Sequence, residues 1–239
     1  MRITVVYNNV PLKSGLQTGW GFATVIETPA GNVLFDTGGD GATLLANMKG
    51  LGLSPTDIQA VVLSHNHGDH TGGLEAFLQQ KADLSVYMPA SFPRSFQERV
   101  AASGAQVVCM ESNPTRLWGP IHTTGQMGRG IPEQALIVES SPGPVLITGC
   151  AHPGIANMAS RVDAYLGQGV HMVLGGMHLM GMPSAQVQGV IGQLKSLGVH
   201  KVAPSHCTGE KVIDVFQQAW GSNFINGGCG AEIKLELQD

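Results

Sequence analysis

The sequence predicts an α/β protein: two mixed β-sheets packed face to face with helices outside, a four-layer αββα sandwich formed by residues 1–239 as a single domain. Three observations predict it. Short apolar, β-branched runs alternate with helix-patterned stretches, which implies parallel strands with helices on the sheet faces. This alternation occurs in two halves, each running from strands to helices. Neither a linker nor a short-period repeat interrupts them. An apolar content of 43%, only 13% charged residues and 33 glycines fit a compact, loop-rich chain rather than a disordered or coiled-coil one.

The elements follow in order. Residues 2–7 alternate and read as a first strand; residues 8–20 are polar, punctuated by Gly and Pro, and read as a long loop ending at Trp20. Residues 22–27 and 32–35 form a hairpin around Pro29-Ala30-Gly31. A strand running into the glycine turn Phe35-Asp36-Thr37-Gly38-Gly39 precedes a helix over 41–50. Residues 58–63 are a buried strand, 74–80 a helix, 84–88 a strand, 93–102 a helix and 106–110 a strand. Glycines and prolines break the alternation over 111–133, which reads as a meander with a mobile segment. Residues 134–138 and 144–148 form a second hairpin. Helices over 155–166, 184–197 and 209–220 then alternate with strands over 170–174, 199–203 and 233–237.

The chemistry concentrates where the strand over 58–63 ends, in Ser64-His65-Asn66-His67-Gly68-Asp69-His70. On a roughly extended backbone His65 and His67 point the same way and can share one metal ion. Gly68 turns the chain, so that Asp69 and His70 face the same hollow; Gly72 and Gly73 allow the next helix close approach. A group of polar side chains this dense is tolerated away from water chiefly when a cation compensates it. The strand-glycine-histidine arrangement recurs at His152, His206 and His178. Ligands converging from distant strand ends are what a shared metal centre needs.

The expected metal ligands are therefore His65, His67, Asp69, His70, His152 and His206, holding two divalent ions. Imidazole-rich ligation with one carboxylate suits zinc, with manganese or iron as alternatives. His178 is a ligand, a general acid or a group supporting a ligand, the last two ranking above the first. Asp36, at a strand end, is placed to accept the outer N–H of a metal-bound histidine. Arg129 is a candidate clamp on a substrate phosphate. Thr208, opening a helix after His206, is a candidate anion contact, and Trp20 a pocket wall for a flat ring.

The stretch over 63–73 resembles the His-x-His-x-Asp-His signature of the metallo-β-lactamase-fold hydrolases. FDTG (35–38), LSHNHGDHTGG (63–73), TTGQMGR (123–129), TGCAHPGI (148–155), GGMHL (175–179) and SHCTG (205–209) are similar, in this order, to blocks of one branch of that superfamily. The branch is labelled dihydropterin–ribofuranosylaminobenzene-phosphate synthase-like. The resemblance implies the same αββα architecture. It also implies a metal-binding histidine about where His122 stands, so that His122 competes with His152. Where many dinuclear members carry a metal-bridging aspartate, this chain has Cys150, as a thiolate ligand, a buried small residue or neither.

The expected activity is hydrolysis of a small-molecule phosphoester or related substrate. A bound metal lowers the pKa of its water from about 15.7 to about 7, Asp69 orients or deprotonates that nucleophile, and His178 protonates the leaving group. The alternative, which the branch label implies, is a transferase joining a dihydropterin diphosphate to an arylamine ribofuranosyl phosphate. A di-iron oxidoreductase ranks lower, since that class carries glutamate where His67 stands; so does a non-catalytic metal sensor. A net charge of −4 with 13 Lys plus Arg argues against a nucleic-acid partner, tRNA included, while the candidate anion contacts at Thr208 and Arg129 point to a small anionic substrate. Four scattered cysteines without a CxxC pair, no signal-peptide pattern and no apolar run of membrane-spanning length place the expected chain in the cytoplasm, away from membranes.

Overall fold

The computed structural model describes residues 1–236. The chain runs β1 (Arg2–Asn8), β2 (Phe22–Thr28), β3 (Gly31–Phe35), α1 (Gly41–Gly50), β4 (Ile58–Val62), α2 (Gly68–Thr71), α3 (Leu74–Gln80), β5 (Ser85–Pro89), α4 (Arg94–Ala102) and β6 (Gln106–Met110). It continues with β7 (Thr115–Trp118), β8 (Ile121–Thr123), β9 (Leu136–Val138), β10 (Val145–Thr148), α5 (Ile155–Leu166), β11 (Met172–Gly176), α6 (Ser184–Ser196), β12 (Lys201–Ser205), α7 (Glu210–Trp220) and β13 (Glu232–Lys234). One sheet has the order β13-β1-β2-β3-β4-β5-β6 and the other β12-β11-β10-β9-β8-β7. Each is mixed: β3 to β6 and β10 to β12 pair in parallel, while the remaining neighbours are antiparallel.

Three apolar clusters separate four layers. Ile3, Val5, Phe35 and Val62 of the first sheet meet Ile121, Val138, Ile147 and Leu174 of the second. Val6, Val61 and Val86, on the opposite face of the first sheet, pack under Leu44 of α1, Phe77 of α3 and Val100 of α4. Leu146, Val173 and Val202 do the same under Met158 of α5, Ile191 of α6 and Phe216 of α7. Strand neighbours such as Val61 and Val62 thus serve different layers, because successive side chains leave a strand on opposite faces. Both faces being covered explains why these strands read as continuous apolar runs.

The sequence-based reading needs two corrections. Residues 111–133 are not an irregular meander alone: they contain the β7–β8 hairpin, which forms one end of the second sheet. These strands are too short and too interrupted by Gly119-Pro120 to give a periodic signal. The last strand is shorter than expected, and Leu237 lies outside the described residues. Among the described residues, no helix is long and apolar enough to cross a membrane.

The layers position the site. Asp36 follows β3, the segment 64–70 follows β4, Cys150 and His152 follow β10, His178 follows β11, and His206 follows β12. All leave the carboxyl ends of strands belonging to the parallel part of their sheet, where open α/β sheets present their crevice.

Candidate metal centre

The loops after β3 and β4 interlock first. Asp36 is fully buried in a left-handed conformation with φ of 57°. Its Oδ1 accepts the Ser64 N–H at 2.7 Å, and its Oδ2 accepts the Ser64 hydroxyl at 2.7 Å. The same Oδ2 lies 2.7 Å from His70 Nδ1. A carboxylate only accepts here, so His70 donates through Nδ1 and turns the lone pair of Nε2 inwards. Ser64, its own proton spent on Asp36, accepts from His65 Nδ1 at 2.9 Å. His206 Nδ1 donates to Asn9 Oδ1 at 2.8 Å. Each of these three histidines thus has its outer nitrogen fixed by a neighbour and its Nε2 aimed into one cavity, the arrangement that orients metal-binding imidazoles. The structure also explains the paired glycines: a Cβ at Gly72 or Gly73 would overlap the carbonyl of Gly39 or Thr37.

Two donor sets result. The nitrogens of His65, His67 and His152 lie within 4.8 Å of one another, as do the donor atoms of Asp69, His70 and His206. Within them electron-rich atoms face each other: His65 Nε2 is 3.0 Å from His67 Nδ1, and His206 Nε2 is 3.3 Å from Asp69 Oδ2. His152 Nε2 and His206 Nε2 are buried without a hydrogen-bond partner. Each contact is bridged by a proton, as a neutral His67 Nδ1–H would do for His65, or by a cation. Protonation is disfavoured on one side. Burial, then the neighbouring imidazoles, holds His65 far below the usual histidine range and brings His152 down to about 4. Burial also lowers His206, with its Asp69 partner opposing. Asp69 stays ionised: burial works against it, but the neighbouring imidazoles of His206 and His70 outweigh that. For His70, burial is outweighed by Asp36, and the proton affinity rises. The neutral imidazoles of His65, His152 and His206, with unshared pairs, and an ionised carboxylate fit a divalent cation.

Not every expected residue joins the cluster. His178 does, as an exposed side chain whose ring lies 4.3 Å from His152. His122 does not: its Nε2 contacts the Glu139 carboxylate and its Nδ1 lies 3.1 Å from the Tyr165 hydroxyl. The structure thus places His152, and not His122, among the clustered donors. Thr208 is buried, and its hydroxyl accepts the Met177 N–H at 3.1 Å, which leaves its backbone N–H as the group an anion contact would use. Arg129 is exposed on the loop between the bridged residues Met127 and Glu133, without a hydrogen bond or ion pair among the described residues. Trp20 is exposed and lies 4.9 Å, ring to ring, from His206. Together with His67, Asp69, Cys150, His152, His178, Met180 and Cys207 it lines a cleft of about 280 Å³. A second cleft of about 340 Å³ shares Trp20 and Met180 and reaches Lys211 on α7. A larger hollow, about 660 Å³, lies between α3 and α4 and contains none of the cluster histidines.

Sequence reasoning missed Glu133. It is fully buried, and its carboxylate accepts the N–H groups of Cys150 at 2.9 Å, Ala151 at 2.9 Å and His152 at 2.8 Å. Burial raises its pKa against the pull of these three donors. Glu133 thereby holds the turn that carries Cys150 and His152. Its only sequence signal is an isolated acid directly before an apolar run. Asn9, behind His206, gave no signal at all. Backbone strain was equally invisible: the non-glycine residues with positive φ among the described residues are Asp36, Ala151, His178 and His206, all at this site, where over-determined surroundings hold such conformations.

The link through Asp36 is testable. Asp36→Asn keeps the shape but offers an amide N–H to a neighbour that also donates. Metal affinity, measured by competition with a chromophoric chelator, is expected to fall about 10–100-fold. An unchanged affinity would show that His70 orients without Asp36.

A model of the metallo-beta-lactamase superfamily matches residues 19–206. A 7,8-dihydropterin-6-methyl-4-(beta-D-ribofuranosyl)-aminobenzene-5'-phosphate synthase from Methanocaldococcus jannaschii is 29% identical over 248 residues, covering 85% of this chain and 84% of that protein. Among solved structures, a metal-dependent hydrolase of the beta-lactamase superfamily superposes with a TM-score of 0.83 at 23% identity, covering 99% of both chains. The short form of human tRNase Z gives a TM-score of 0.66 at 14% identity, covering 99% of this chain and 100% of that one. At these identities the two structures show a shared fold.

Proposed function

The chain belongs to the metallo-beta-lactamase superfamily, and on that premise we propose that it is a metal-dependent hydrolase acting on a small anionic phosphoester or related substrate. The observation that carries this reading is the pair of donor sets at one cleft, His65–His67–His152 and Asp69–His70–His206. Each set would hold one divalent ion, zinc before manganese or iron. Such ions supply Lewis acidity and a hydrolytic nucleophile at neutral pH.

The chain's own groups do the rest. Asp69 lines the cleft with its carboxylate held ionised, so it can orient a nucleophile by accepting a hydrogen bond from it. His178 is exposed beside His152 in the same cleft and can give a proton to the departing oxygen. Trp20 and Met180 wall the cleft with apolar surface, excluding water and packing against the non-reacting part of the substrate. Two adjoining clefts of about 280 and 340 Å³ suit a small molecule. The net charge of −4 disfavours a nucleic-acid partner.

Loss of His178 should act through the leaving group. His178→Gln is expected to slow hydrolysis of alkyl phosphoesters by about 10²–10⁴, to spare nitrophenyl esters, and to leave the metal content unchanged. Equal slowing of both ester types would remove His178 from the proton-donor role.

One comparison favours a second reading. The relative from Methanocaldococcus jannaschii is named a synthase; on this reading the same centre activates a dihydropterin diphosphate for attack by an arylamine. The deciding experiment is turnover of phosphomonoesters, phosphodiesters and a dihydropterin diphosphate, before and after chelation. Chelator-sensitive release of phosphate from simple esters supports the hydrolase. Diphosphate release that requires an added arylamine, with no ester turnover, replaces it with the transferase.

A further inference from the structure

Cys150 stands between the two donor sets. Its Sγ lies within 4.8 Å of donor atoms of His65 and His152 from one set, and of His70 and His206 from the other. It is 3.3 Å from His70 Nε2, the nitrogen that Asp36 leaves free. The side chain is buried, yet it borders the cleft rather than an apolar layer. Its position is enforced: Glu133 grips the N–H of Cys150 and of the two residues after it, and Ala151 takes a φ of 59° to turn Cys150 and His152 towards the same cavity. Gly149 cannot carry a side chain here, because a Cβ would overlap Ser64 Oγ.

Charge balance points the same way. The six other donors contribute a single anion, Asp69, against two divalent ions. A further anion between the ions reduces the cost of burying that charge. Cys207, the other cysteine at the cleft, also lies within 4.8 Å of the Cys150 and His206 donor atoms, but it reaches only this one side of the cluster, and its thiol donates to the Cys150 carbonyl at 3.7 Å.

Resting on the two-ion reading above, we propose that Cys150 is a thiolate ligand shared by both metal subsites. On metal binding the thiol proton passes to solvent and the sulfur pair is donated to the ions. A soft shared ligand makes the centre favour zinc, cobalt and cadmium over manganese and magnesium.

Cobalt loading tests this without reference to turnover. The wild-type protein carrying two Co²⁺ ions is expected to show a near-ultraviolet thiolate-to-cobalt charge-transfer band. Cys207→Ser keeps the band. Cys150→Ser loses it, and its second ion binds at least tenfold more weakly. Cys150→Asp restores two-ion binding without the band. Two bound Co²⁺ ions with no band, a band persisting in Cys150→Ser, or a band lost only in Cys207→Ser each overturns the assignment. Should Cys150→Ser fail to fold, iodoacetamide labelling of the wild-type protein decides. Metal should protect Cys150 while leaving the exposed Cys109 reactive, and equal labelling of Cys150 with and without metal overturns the proposal. The ion count separates the two readings, since a protein that binds no ion refutes the two-ion centre itself.

Discussion

His152→Ala is expected to lower bound metal from two ions per chain to one and to cut chelator-sensitive turnover by more than about 100-fold, beyond what loss of a ligand's hydrogen-bonding partner gives. The substitution removes the third donor of the His65–His67–His152 set and leaves the Asp69–His70–His206 set intact. His122→Ala is the matched control. It lies off the cluster, against Glu139 and Tyr165, so metal content should stay at two. Its effect should be on stability, about 1–3 kcal/mol, because it leaves a half-buried carboxylate and a phenol without their partner. Elemental analysis of both variants checks the contrast. Loss of metal in His122→Ala with retention in His152→Ala would exchange their roles.

Glu133→Ala is expected to destabilise the metal-free protein by about 3–5 kcal/mol, since three buried N–H groups lose their acceptor together. For a domain of this size that corresponds to a fall in melting temperature of roughly 10 °C. Glu133→Gln separates positioning from bulk stability. Its oxygen can still accept from Cys150 and Ala151, but its amide nitrogen meets the N–H of His152. It should melt closer to the wild type while binding metal more weakly, because the turn carrying Cys150 and His152 is no longer aimed. Thermal melts in chelator, paired with metal titration, make the test. A Glu133→Gln protein with wild-type metal affinity would reduce Glu133 to a packing residue.

Much of this molecule was legible in its sequence, for physical reasons. The strands of the parallel portions bury both faces, so they appear as unbroken apolar runs; the histidines at their ends stand out because imidazole is otherwise rare there. Asp36 could be placed behind a histidine because a carboxylate at a strand end has few other uses. The illegible parts depend on contacts between residues distant in sequence. Glu133 acts on a turn 17–19 residues later, through backbone N–H groups that carry no side-chain signature. Asn9 reaches His206 across 197 residues. The sequence put His152 in the ligand set and the resemblance made His122 its competitor; the packing of β8 against α5, through His122 and Tyr165, holds His122 away from the cluster. Thr208 follows a site histidine, and its hydroxyl accepts from the Met177 backbone, a partner that spacing does not reveal.

The most direct test of the centre is the metal content of the purified protein after dialysis, by elemental mass spectrometry. Two divalent ions per chain, removable by chelation, are the predicted result. A chain that retains no divalent ion after loading would contradict the reading of His65, His67, His152, Asp69, His70 and His206 as a metal centre.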